Sequence, residues 1–228
     1  MARVNIDKGI VSFIRRILNN MFTELYNKVN GVSDMGDIRA SSLTLTGATP
    51  LTFEDTVYDD LQVSISTARL PATNTPTWEN ITLDGYTTKL LAFDTDDYVT
   101  LLIQTTHSTK LNTIIDNHIH WTLSSDDDGD EIQFQITGVG GGIGESFSSI
   151  GTIKSGDLVL SGNAGKHNLL DIGNIPSTNS TVSSCFIIDL KRIAPDDGND
   201  STELVYVIFN DCHVKIDTIG SAEETSKV

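Results

Sequence analysis

From about residue 56 the chain is written in short segments rich in β-branched and aromatic residues, each closed by a cluster of turn formers. No other feature narrows the fold as much. The segments are "LQVSIS" (61–66), "TKLLAF" (88–93), "YVTLLIQT" (98–105), "NHIHWTL" (117–123) and "EIQFQIT" (131–137). They continue with "GDLVL" (156–160), "VSSCFIIDL" (182–190) and "ELVYVIFNDCHVKI" (203–216), and "TDD", "SSDDDGD", "TGVGGGIG" and "APDDGND" punctuate them. Many short strands at this spacing predict a mainly β head domain over 56–228, an antiparallel β-sandwich of jelly-roll type. None of these segments has the length or period of a crossover helix, which argues against a parallel α/β sheet and the nucleotide site at its switch point.

The first residues follow a different period. In "IDKGIVSFIRRILNNMFTELYNKV" (6–29), Val11, Ile14, Leu18, Met21 and Leu25 recur at alternating spacings of three and four, the heptad seam of a coiled coil. Ile10, Phe13, Ile17, Phe22 and Val29 widen the apolar stripe beyond what one partner helix covers. Such a helix either packs on its own domain or associates with copies of itself. The stretch that follows, "NGVSDMGDIRASSLTLTGATP", is rich in Gly, Ser, Thr and Asp, detaches the helix from the head and so favours a trimeric coiled coil. The expected organisation is a helical stalk or anchor over 1–31, a linker over 32–55 and the β head. Charges at Asp7, Lys8, Arg15 and Arg16 break the leading apolar run, so neither a signal peptide nor a membrane span is expected there.

The formal charge is −16, from 15 basic and 31 acidic residues. A field of that sign disfavours nucleic acid and anionic membranes as partners. Cys185 and Cys212 are too few for a zinc ribbon or knuckle; they read as reduced strand residues, with a disulfide between them left open.

Chemistry is suggested most directly by "NHIHWTL". Alternation puts His118, His120 and Thr122 on one strand face and Ile119, Trp121 and Leu123 on the other, which belongs in the core. Two histidines at i, i+2 can share a metal ion given a further ligand, for which His107, His213 and Asp211 are the candidates. The alternative is that His107, His118, His120 and His213 serve a subunit interface. A cupin-like metal enzyme would need a glutamate shortly after the pair, where Ser124 and Ser125 stand instead. The Asp126, Asp128, Gly129 run imitates a calcium loop but lacks flanking helices and has Gln135 at the bidentate position, so it reads as a solvated turn. "GVGGGIG" (138–144) matches no phosphate-cradling pattern and reads as a flexible connection. No serine or cysteine sits in a nucleophile signature, and no cofactor is expected.

Several stretches taken together resemble a family of virion structural proteins of tailed bacteriophages, of the head-fibre or decoration kind. They are "VYDDLQVSISTARL" (57–70), "LLAFDTDDYVTLLIQTTHS" (90–108), "NHIHWTLSS" (117–125), "KHNLLDIGNI" (166–175), "VSSCFIIDLKR" (182–192) and "DCHVKIDTIGSAEETSK" (211–227). The family patterns look like "QLPH", "PHxHW" and "FHYxIDTxGSRxExxK", and His107, His118, His120, His167 and His213 fall on its histidine-bearing positions. This chain departs from them at "QTTH", at Asn117, at Cys212 and Val214, and at Ala222. The resemblance implies a non-enzymatic homotrimer carried on its N-terminal stalk and located in the virion, assembled in the host cytoplasm. Its partners would be the capsid, portal or tail proteins, met through the N-terminal segment with Arg15 and Arg16 on the outer face. The alternatives are a tail or portal-vertex fibre binding a host-surface receptor or glycan, with Trp78 and Tyr86 as the suggestive aromatics, and the cupin-like enzyme.

Overall fold

The computed structural model describes residues 19–20, 52–176, 179–218 and 220–221. The chain divides into two compact units, 1–46 and 47–228. In the first, Asn19 and Asn20 are helical, and the expected seam of Val11, Ile14, Leu18, Met21 and Leu25 lies outside the described residues.

The second unit is an antiparallel β-sandwich. Its strands are β1 (Thr52–Ser64), β2 (Thr77–Leu83), β3 (Tyr86–Phe93), β4 (Tyr98–Gln104), β5 (Ile115–Thr122) and β6 (Glu131–Gly141). They are followed by β7 (Ser148–Lys154), β8 (Leu158–Val159), β9 (Asn168–Ile175), β10 (Cys185–Ile193) and β11 (Val205–Thr218). Among the described residues of this unit the helical structure is one short 3-10 turn, Ile65–Thr67, so the absence of crossover helices agrees with the sequence. One sheet runs β2-β3-β11-β5-β9, with β1 also paired to β11; the other runs β4-β10-β6-β7, with β8 paired to β6. β11 is the spine of the larger sheet. One of its edges pairs with β5, and the other pairs with β3 through Val205–Val207 and then with β1.

Alternation explains why these residues make these strands. In β10 the burial pattern is strict, with Phe186, Ile188 and Leu190 fully inside and their neighbours half-buried. Ile119, Trp121 and Leu123 enter the core as expected and meet Leu101, Phe134, Phe186 and Val207 in one continuous cluster. Each such side chain, fully withdrawn from water, contributes about 1.5–3 kcal/mol. Cys212 is also in this core; burial pushes its thiol up to about 12, so it stays un-ionised. Both cysteines are free, Cys185 half-buried in the opposite sheet.

Several expectations are corrected. β1 starts at Thr52, inside the stretch read as linker. β2, β7 and β9 have no counterpart among the predicted segments, because "TWENITL", "SSIGTIK" and "NLLDIGNI" carry too many polar or glycine positions to stand out. Four of the seven residues of "GVGGGIG" are strand: Gly138 to Gly141 continue β6, paired with β10. The glycine there serves close approach, since a Cβ on Gly138 would fall 2.2 Å from the Ile187 carbonyl oxygen.

At one end of the sandwich the core face of β10 continues with an arginine. Arg192 is fully buried; Nη1 donates to the carbonyls of Phe93 (3.0 Å) and Glu203 (2.6 Å), and Nη2 to Ser201 O (2.5 Å) and Asp200 Oδ1 (3.3 Å). Thr95 Oγ1 donates to the other Asp200 oxygen. One guanidinium thereby fastens the 194–204 loop to β3. The acidic turn also works locally: Asp126 and Asp128 accept from the amides of Ala164 (2.7 Å) and Gly162 (3.2 Å), and Asp127 from the Ser201 hydroxyl (2.7 Å). Those carboxylates shape turns.

Candidate metal centre

Two strand irregularities build the site. In β11, Val207 pairs with Trp121 but Phe209 pairs with His120, leaving Ile208 as an extra residue. The bulge reverses the parity of β11: Val205 and Val207 point inward before it, and Asn210, Cys212 and Val214 do so after it. Phe209, Asp211 and His213 are thereby turned to the outer face, beside His118 and His120 of β5. The second bulge lies in β9, where Asn117 pairs with Gly173 and His118 with Asp171. Gly173 has φ +120°, a conformation that side chains other than glycine's rarely permit, and Asp171 comes to the same outer face.

Register then sets the distances. His118 is directly opposite Asp211, a pairing that brings the two side chains together on one face of the sheet. Asp211 is 3% exposed, and its Oδ2 lies 3.4 Å from His213 Nε2 and 3.6 Å from His120 Nε2. The His118 and His213 rings are 4.4 Å apart at their centroids. His120 stacks on Phe209 at 4.2 Å, and its Nδ1 shares a hydrogen bond with His167 Nε2 at 2.6 Å. Two exposed carboxylates stand at the rim: Asp60 Oδ1, 3.1 Å from His213 Nε2, and Asp171 Oδ1, 3.9 Å from His118 Nε2.

Burial lowers the pKa of His120, the nearby His167 lowers it further, and Asp211 opposes both. Its imidazole is therefore neutral at pH 7, the form in which a ring nitrogen can bind a metal. Three buried atoms of the cluster, His118 Nδ1, His120 Nε2 and Asp211 Oδ1, have no hydrogen-bond partner. A carboxylate among imidazoles can hold a cation, exchange a proton with a bound molecule or meet a partner surface. Candidate ligand atoms of His118, Asp211 and His213 all lie within 4.8 Å of one another.

The structure thus gathers His118, His120 and His213 with Asp211, and adds His167, which the sequence marked through the resemblance. His107 is elsewhere: its Nε2 bonds the Ser183 hydroxyl (3.1 Å) and its Nδ1 that of Ser221 (2.8 Å). The core side of β5 holds a companion the sequence did not suggest. Asn117 is fully buried and its Nδ2 donates to Asn210 Oδ1 (3.2 Å) and Cys212 Sγ (3.2 Å), a polar lock beneath the histidines. Trp78 and Tyr86 are 39% and 72% exposed, but the β2–β3 register sets them on opposite faces of that hairpin, so they form no common patch.

No family model matches the chain, and no curated protein matches it. Among solved structures it is similar to a chain in the structure of infectious bursal disease virus, Gx strain, with a TM-score of 0.35 and 12% identity. That match covers 78% of this chain and 36% of the viral one, so the chain spans little more than a third of that protein's length. A likeness at this level extends to neither partners nor activity.

Proposed function

We propose that this chain is a non-enzymatic structural protein of a tailed-phage virion, a homotrimeric head fibre or capsid decoration protein held to the particle by its N-terminal helix. One observation carries the reading. Four of the five histidines that mark the resemblance, contributed by β5, β11 and the residue before β9, meet on one face of one sheet. Strand-end motifs matched by chance have no physical reason to converge; motifs belonging to one fold do. The acidic surface suits a protein that stands in solvent on a larger assembly and repels its neighbours.

Two measurements test it. Light scattering of the full chain should give a mass near three times 24.7 kDa, and Leu18→Asp should reduce it to that of one chain. A monomeric wild-type chain overturns the trimer. Antibody labelling of purified particles should place the protein on the capsid; particles that lack it overturn the virion role.

A further inference from the structure

We propose that His118, Asp211 and His213 bind one divalent transition-metal ion of the zinc class, tying β5 to β11 on the outer face of the larger sheet. The inference holds for a single chain and does not depend on the trimer or on the virion.

Donor atoms around a tetrahedral ion bonded at about 2.0–2.2 Å stand roughly 3.3 Å apart. Asp211 Oδ2 and His213 Nε2, at 3.4 Å, already have that separation. The remaining ligand distances, at most 4.8 Å, close by side-chain rotation without movement of the strands. Two imidazoles with one carboxylate select the zinc class over Ca²⁺ and Mg²⁺, which take oxygen cages.

The unpartnered atoms identify what the site lacks. Asp211 is a buried carboxylate whose Oδ2 faces only the imidazoles of His213 and His120 and whose Oδ1 is unbonded, an arrangement costly to leave incomplete. With Nε2 turned toward Asp171, His118 keeps Nδ1, buried and unbonded, as its metal donor. A ligating histidine ordinarily gives its other nitrogen to such a carboxylate. His120 is a positioning residue: its Nε2 faces Asp211 Oδ2 while His167 fixes its Nδ1. The side chain of His213 is 35% exposed and Asp60 and Asp171 stand at the rim, so an ion can enter from solvent past two carboxylates.

The test uses the full chain without an affinity tag, freed of metal by chelation and titrated with Zn²⁺ by calorimetry and with Co²⁺ by visible absorption, in excess Mg²⁺. The expected result is one ion per chain, Co²⁺ bands of low-coordinate type, and a thermal midpoint raised by about 5 °C or more at a hundredfold excess over Kd. His213→Gln, at the exposed edge of the site and with little bearing on folding, should weaken binding at least about tenfold, as should Asp211→Asn. His107→Gln, bonded away from the cluster, should bind as wild type does. Absence of one-to-one binding, binding kept in His213→Gln, or binding lost in His107→Gln would each overturn the site. A monomeric chain that binds one ion would leave it intact while overturning the trimer.

Discussion

Among the described residues of the sandwich, Arg192 and Asp211 are buried charged groups, and their surroundings differ. Arg192 sits at the end of the core with both terminal nitrogens engaged, by three main-chain carbonyls and Asp200, while its Nε is left without a partner. Asp211 sits beneath the outer face of the larger sheet, with imidazoles beside it and one oxygen unbonded. A buried charge whose partners are supplied by the chain itself is part of the scaffold. One that faces imidazoles and no permanently charged side chain can take its counter-ion from outside the chain.

The contrast is most exposed to failure at the arginine. Arg192→Ala strands three carbonyls and the Asp200 carboxylate, and is expected to lower stability by about 3–5 kcal/mol, read from the urea midpoint. A loss under about 1 kcal/mol would show that the corner is held by packing alone. Asp200→Asn keeps the shape but weakens the bonds from Thr95 and Arg192; a loss of about 1–2 kcal/mol is expected from the same measurement. The smallest effect belongs to the other cluster. In metal-free buffer Asp211→Asn removes a charge that no permanently charged side chain of the fold balances, so stability should stay within about 1 kcal/mol of wild type. A large loss there would make Asp211 a scaffold residue like Arg192, and the distinction would fall.

These residues also show how far a sequence can be read. The parity of "NHIHWTL" foretold which side chains of β5 enter the core, because alternation is a property of one strand alone. That Asp211 lies opposite His118 is a property of two strands and a bulge, and nothing in "VYVIFNDCHVKI" marks Ile208 as the extra residue. Asp211 and His213 could be nominated as ligands, but their placement beside His118 could not be derived. His107 failed for the same reason: chemistry can be read from a residue type, whereas proximity depends on register. Arg192 drew no notice because, inside "CFIIDLKRI", an arginine beside a lysine looks like the solvated end of a strand. The missed strands β2, β7 and β9 are edge or near-edge members whose polar outer faces dilute the period-two signal.

β11 joins β1, β3 and β5, and none of these three pairs with another. As the nascent chain leaves the ribosome, the larger sheet therefore exists only as a loose strand, the β2–β3 hairpin and the β5–β9 pair until residues 205–218 arrive to join them. Contacts of such long sequence separation form slowly. In that interval the open strand edges are available to neighbouring chains.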